Sequence, residues 1–461
     1  MSETDYAVST NKFFQSRELI MTASFSITRL TAFWGRLNSS FWFVPAVMAL
    51  SAIALSFVLI SVDTLRDVAQ TDNPAALYTF GPEGARAMLS VIASSMITVA
   101  SLIFSITMLS LQLASSQFGP RTLGNFMRDR SNQIVLGTFI ATFLYCLFVL
   151  RSVRGTEGSS FVPHLAVAFG VLMGAASVAV LLYFIHHIAT SIRVETLLEK
   201  LAVEGCAAVD HVFPERLGDG RPIEAVKQPL PGDFETDSRQ IAADSDGYVQ
   251  SIGGDVLMRI AAKNDLVLRI AARPGAFVTK GACVIAAYPK AKVSDKIDEE
   301  LRGAVVIGRD RTPYQDLEFA IRRIVELAQR SLSPGINDPT TALYCIDRLG
   351  QVLGRLADRD IPSPMRFDQS GQLRVLTEVI DLGAVTRRAV AAIARYGMTD
   401  ADVVTQLVET LAKLEESFPL PARVVVAELR EQVLRESGGS TIHGFDRKIL
   451  LDLQKSGGKT P

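Results

Sequence analysis

Charge is missing from four long stretches of this 461-residue chain, although the chain as a whole is nearly neutral, with 47 Lys+Arg against 48 Asp+Glu. No charged residue lies between Arg36 and Asp63, Arg86 and Arg121, Arg130 and Arg151, or Glu157 and Arg193. Beyond Arg193 no charge-free run exceeds nine residues. The balanced total argues against a generally basic nucleic-acid partner. Cysteine is also scarce. Cys146, Cys206, Cys283 and Cys345 are far apart, so there is neither a CxxC nor a zinc spacing. They read as buried small hydrophobes in a reducing compartment. The motifs of familiar enzymes are absent as well: no GxxxxGK[ST], no GxGxxG after a strand, no HExxH and no GxSxG. No cofactor and no metal is expected, and a membrane enzyme lacks the clustered His, Asp or Glu it would use. The first 40 residues do not have the form of a cleaved signal peptide.

What is present fits a lipid solvent. A hydrocarbon core of ~30 Å takes ~20 apolar residues in a helix, and all four charge-free runs reach that length. The expected spans are Phe41–Ser61, Met88–Leu113, Ile134–Leu150 and Phe161–Ala189. Each must be helical, because lipid offers no hydrogen bonds to the backbone. None contains Asp, Glu, Lys or Arg, which argues against a carboxylate-driven pump. The fold class read from the sequence is therefore an α-helical membrane protein with four transmembrane helices, followed by a soluble α+β region. Its divisions are residues 1–40, an N-terminal cytoplasmic or interfacial segment; 41–193, the membrane domain; 194–309, a linker helix and small β module; and 310–461, a mainly helical domain. Within the first segment, Ile27, Leu30, Trp34 and Leu37 have the spacing of a helix that lies on the membrane or extends the first span.

Loop charges set the orientation. Arg121, Arg128 and Arg130, against Asp129, follow the second span and Arg29 and Arg36 precede the first, while Asp63, Asp67, Asp72 and Glu83, against Arg66 and Arg86, follow the first; Arg151 and Arg154 against Glu157 after the third span reduce the bias slightly. Both termini are expected in the cytoplasm, in a bacterial inner membrane. The second span is the most informative. Ser94, Thr98, Ser101, Ser105 and Gln112 recur at steps of four, three, four and seven, which places them on one helix face. Such a stripe either packs helices closely or lines a wet path. In the fourth span, Gly170 and Gly174 form a GxxxG that permits a close helix pair. His186 and His187 close that span. Being adjacent, they point to different sides and do not make the i, i+4 pair that a metal prefers. With Arg121, Arg128 and Arg130 they are candidates for a cytoplasmic mouth, and those arginines would favour anions.

In the soluble part, strands are expected at 247–252, 265–271, 283–288 and 304–308, and helices at 255–263 and from Leu317 to Ala328. The Arg273-Pro-Gly-Ala turn and Gly281 look like the corner of a lipoyl-type half-barrel. No lysine stands on a hairpin tip, which excludes a carried prosthetic group. Ser333, Asn337 and Asp338 lie in the SPGINDP turn, as a ligand-binding turn or simply a cap joining two helices. Arg311, Asp316, Arg322 and Arg323 form either an inter-subunit charge network or a solvated helix face. Three or four amphipathic helices are expected in 374–455, with Pro419 and Pro421 at a break.

Several of these segments together carry a resemblance: QFGPRTLGNFMRDRSNQIVLGTF (117–139), FIHHIATSI (184–192), DGYVQSI (246–252), RPGAFVTKG (273–281) and the long run from Asp310 to Leu349. In this order they are similar to a bacterial family of predicted inner-membrane proteins known as domain of unknown function 2254. The resemblance implies an integral membrane protein and carries over no catalytic or binding residue. Two functions remain open. One is a homo-oligomeric, channel-like path for ions or small solutes. The other is a membrane-anchored binding or regulatory module.

Overall fold

The structure, a computed structural model, describes residues 41–68, 81–118, 129–156, 159–191, 193–210, 219–220, 230–359 and 363–438. Arg121 and Arg128, and the segment 25–37, lie outside the described residues. The chain divides into two compact units, Met1–Ile192 and Arg193–Pro461.

The first unit is built from four long helices: α1 (Phe43–Val68), α2 (Pro82–Phe118), α3 (Arg130–Ser152) and α4 (His164–Ser191), with a short hairpin of β1 (Arg154–Thr156) and β2 (Ser159–Phe161) between α3 and α4. All four helices are long and apolar enough to cross a membrane. They are not equivalent. In its most apolar stretch α3 is 56% buried, against 22% for α1 and α4 and 28% for α2, so the other three pack around it. Phe139, Tyr145, Cys146 and Val149 of α3 are almost fully buried. Gly137 explains how closely α1 approaches: a Cβ there would stand 2.5 Å from the Met48 sulfur and 3.2 Å from the Pro45 Cα. Gly170 and Gly174 serve the same purpose for α4. They face Leu89 and Ile92 of α2, so the GxxxG makes its contact inside one chain.

The first helix runs past the expected end at Ser61 to Val68. The reason is Asp63, which is buried. Its carboxylate accepts from the backbone N–H groups of Leu165 (3.3 Å) and Ala166 (2.9 Å) in the first turn of α4. Those amides have no partner within their own helix, and the negative charge meets the positive end of the α4 dipole. Arg86 of α2 donates to the Val153 carbonyl at 2.9 Å, and the Tyr145 hydroxyl to the Ala166 carbonyl at 2.8 Å. One end of the bundle is thus closed by polar contacts to backbone.

The second unit begins with α5 (Val194–Val209) and contains two sheets. In chain order its further elements are β3 (Asp219–Gly220), β4 (Arg239–Ala242), β5 (Gly247–Ile252), α6 (Gly254–Asn264), β6 (Val267–Ile270), β7 (Phe277–Val278), β8 (Cys283–Tyr288), α7 (Asp295–Gly303), β9 (Val305–Gly308), α8 (Leu317–Ser331), α9 (Pro339–Ala357), β10 (Met365–Phe367), β11 (Leu373–Leu376), α10 (Leu382–Gly397), α11 (Ala401–Ser417) and α12 (Leu420–Gly438). The larger sheet has the order β3-β10-β11-β6-β8-β4, with β11 and β6 parallel and the other pairs antiparallel. The smaller is β7-β5-β9, antiparallel throughout. Strands β10 and β11 come after α8 and α9, yet β11 pairs with β6 and β10 with β3, so one sheet joins residues on both sides of position 310. The strands expected at 247–252 and 283–288 are β5 and β8, and the alternation at 265–271 marks β6. Strands β10 and β11 are short and hold arginines, Arg366 and Arg374, at buried positions, so no apolar alternation marks them.

Candidate functional site

The hydroxyl stripe of α2 lies on the outside of the four-helix unit. Ala85, Leu89, Ala93, Met96, Ala100, Ile103, Thr107, Ser110 and Ala114 are buried, at helical steps of three and four. Ser94, Thr98, Ser101, Ser105 and Gln112 occupy the opposite face and are exposed. Four of the hydroxyls donate back along the helix: Ser94 to the Val91 carbonyl (3.1 Å), Thr98 to Ser94 (2.8 Å), Ser101 to Ile97 (3.0 Å) and Ser105 to Ser101 (2.9 Å). Each proton is therefore taken, and what each hydroxyl offers outward is its remaining acceptor capacity. Val91, Ile97, Leu102, Phe104, Met108, Leu109 and Leu113 are exposed beside the stripe, so the open side of the helix is a polar stripe with apolar flanks. The open faces of α1 and α4 are mainly apolar, with Leu50, Phe57 and Val58 on one and Leu172, Val178 and Leu182 on the other. Exceptions include Ser51, Ser61 and Thr64 of α1, each bonded to its own helix, and Tyr183 and His186 near the end of α4.

At the end of the unit remote from Asp63, the first turn of α3 meets the last turns of α4. Asp129 caps α3, its Oδ1 accepting from the Ser131 N–H at 3.0 Å. Its Oδ2 lies 3.2 Å from Nε2 of His187. The same Nε2 is 3.2 Å from the Ser191 Oγ. Tyr183, one turn earlier, stacks on the imidazole with ring centroids 5.6 Å apart, and its hydroxyl is 3.1 Å from the Ser131 Oγ. Asn132 and Gln133 are buried in the same turn of α3. His186 and Arg130 are exposed and point away from this contact. Sequence spacing separated the two histidines but gave no sign that Asp129, some sixty residues earlier, would meet the second.

In the second unit the SPGINDP residues are accounted for by the turn itself. The Ser333 hydroxyl donates to the Arg330 carbonyl (2.6 Å), and its own carbonyl accepts from Ile336 and Asn337. Asp338 caps α9, accepting from the Thr341 N–H (3.1 Å) and hydroxyl (2.5 Å). Asn337 is exposed with φ of 49°, a backbone conformation that asparagine tolerates. The charged residues expected to form a network find their partners within the chain. Arg311 pairs with Asp316 through two bonds of 2.7 and 2.9 Å, Arg322 with Glu326, and buried Arg323 with Glu204 of α5.

Asp316 is the most constrained of these. Gly275, at φ +86°, presses against it so closely that a Cβ would stand 2.2 Å from its Oδ2. Burial pushes the Asp316 carboxyl up, and the Arg311 guanidinium offsets part of that rise. A shallow cleft beside it is lined by Arg273, Gln315, Glu318 and Glu378, among others. Its charges answer one another, Glu318 accepting from both Arg273 (2.8 Å) and Arg388 (2.9 Å). Burial raises the thiols of Cys206, Cys283 and Cys345, which keeps them protonated and poorly nucleophilic. Among the described residues no three His, Cys, Asp or Glu stand together as a metal site.

Comparison with known proteins agrees with this picture. Residues 38–413 match the family model described as predicted membrane protein, domain of unknown function 2254. An uncharacterized protein of Mycobacterium tuberculosis, Rv1290c, and one of Mycobacterium bovis, Mb1321c, are each 32% identical over 442 residues, covering 94% of this chain and 82% of the relative. No solved structure matches.

Proposed function

Starting from the premise that the chain belongs to the domain of unknown function 2254 family of predicted membrane proteins, we propose that it is a channel-like subunit whose copies assemble with the open faces of α2 turned toward one another. The joined faces make a passive path for ions or small solutes, and the second unit regulates it from the cytoplasmic side. The observation that carries this reading is the contrast between open faces: α2 repeats a polar side chain along its length, while α1 and α4 present mainly apolar ones. A polar stripe gains nothing from lipid and is better matched by water, ions or a second polar stripe, while its apolar flanks suit lipid or a neighbouring copy. The interior of a single bundle is filled by α3, so a path requires more than one copy. Loop charges support a cytoplasmic second unit in an inner membrane.

Flux from liposomes containing the purified full-length protein tests the idea. Ser101→Leu and Ser105→Leu fill the path and should lower flux at least tenfold without changing expression. Absence of flux from a well-ordered oligomer overturns the reading.

A membrane-anchored binding module is the second reading. One observation favours it: the second unit owns a separate core, running from Ile241 through Leu268 and Ile285 to Val375. If residues 193–461 fold and bind a ligand alone while the full chain conducts nothing, this reading replaces the first.

A further inference from the structure

The contact between α3 and α4 at Asp129 and His187 has two alternative arrangements built into it. Nε2 of His187 is equidistant, at 3.2 Å, from a carboxylate on the neighbouring helix and a hydroxyl on its own. As a donor it can bond Asp129. As an acceptor it can take the Ser191 proton, and then nothing from this ring holds Asp129. The side chains are 18% and 10% exposed, so protons reach the ring while the pair is shielded from full solvent screening.

We propose that His187 and Asp129 form a proton-operated clasp between the end of α4 and the start of α3. This inference stands on the contact alone and does not require the path along α2. With a proton added, both ring nitrogens are donors, so Nε2 can only donate and Asp129 is its charged acceptor. The imidazolium also lies over the Tyr183 ring, where a cation is favoured. Loss of that proton removes the charge attraction and frees Nε2 to turn to Ser191. The Tyr183–Ser131 contact, made by an exposed tyrosine, then still ties this corner together.

Among the described residues, few other charges stand at this end of the helices. In sequence Asp129 stands between Arg128, outside the described residues, and Arg130, which is exposed; on α4 the flanking titratable group is His186, also exposed. Helix α2 carries no charged residue from Ala87 to Phe118, and α1 none from Phe43 to Val62. Their charged groups, Glu83, Arg86, Asp63, Arg66 and Asp67, lie at the opposite end of the unit.

A double-mutant cycle on the full-length protein in lipid nanodiscs tests this. Thermal midpoints are measured for the wild type, His187→Phe, Asp129→Asn and the double variant, at about pH 5.5 and about pH 8. Asn keeps the α3 cap, and Phe keeps the ring stack. The expected coupling is a few degrees at the lower pH, on the scale of a ~1 kcal/mol interaction in a unit this size, and close to zero at the higher. His187→Gln, which cannot take the proton, should behave alike at both. Amide exchange over residues 183–191, corrected for its intrinsic pH dependence, should slow by about tenfold at the lower pH in the wild type alone. Equal coupling at the two pH values, or none at either, overturns the proposal.

Discussion

The two units hide polar groups by opposite means. In the second, buried charges meet opposite charges: Arg374 meets Asp368 at 2.7 Å and Asp265 at 2.8 Å, Asp298 meets Arg239 and Arg302, and Asp316 meets Arg311. In the first, Asp63 is the buried charge among the described residues, and it is met by backbone amides. The remaining buried polar groups there include hydroxyls bonded to their own helix, as Thr107 and Thr142 are. A water-soluble unit can bring a guanidinium to each interior carboxylate, because its side chains snorkel from a wet surface. Helices bounded by lipid have no such reservoir, and backbone ends become the available counter-charge.

That contrast can be broken most forcefully at Arg374. Arg374→Met should cost the full chain about 3–4 kcal/mol, since it strands the carboxylate of Asp368 in a half-buried site. Calorimetric unfolding should show the loss in the second unit's transition, with the first unit's unchanged. The matching test in the membrane unit is Asp63→Leu, expected to cost about 2–3 kcal/mol through two orphaned amides and a lost dipole contact. Asp63→Asn should recover about half. A result larger than that for Arg374 would reverse the ranking of the two strategies.

Acid sharpens the comparison further. Hydrogen bonds from Lys292 and then Arg374 lower the Asp265 carboxyl to about 2. Burial alone would raise Asp368, yet the Ser370 hydroxyl, Arg374 and the Gln372 N–H together hold it well below the usual carboxylate range. Both groups are depressed in the folded state. The stability they supply is complete above the unfolded carboxylate value, roughly 4, and drains as pH falls through their folded values. The second unit's melting temperature should therefore fall steeply between about pH 4 and pH 2. Asp265→Asn should flatten that slope.

The smallest effect is expected on α2. Changing Ser94, Thr98, Ser101 and Ser105 together to Ala should alter the stability of a single chain by no more than about 0.5 kcal/mol per site, because these side chains are exposed. Oligomer size by native mass spectrometry, and flux, should change instead. A large loss of monomer stability would show that the face is occupied within one chain.

Much of this architecture was legible beforehand because its causes are local. A run such as Phe41–Ser61 without charge has one favourable solvent, and the alternation in DLVLRIA has one favourable pairing. The turn at Asp338-Pro339 declares a helix start by cap chemistry alone, as the structure bears out. What stayed hidden depends on residues far apart in the chain. Strand β11 forms because it lies beside β6, about a hundred residues earlier, not because LRVL is unusual. Asp63 looked like a loop acid because the sequence does not show the amides of Leu165 and Ala166 that it caps.

Composition and periodicity by themselves determined that the chain enters a bilayer four times, that a soluble α+β region follows, and that five polar side chains share one face of the second helix. They do so because the transfer of apolar area and the 3.6-residue repeat act over short stretches. Tertiary structure alone decided that α3 takes the centre, that the polar face therefore points outward, and that His187 finds Asp129. These outcomes rest on which helix surfaces fit closely enough to exclude the others, as at Gly137 against Met48.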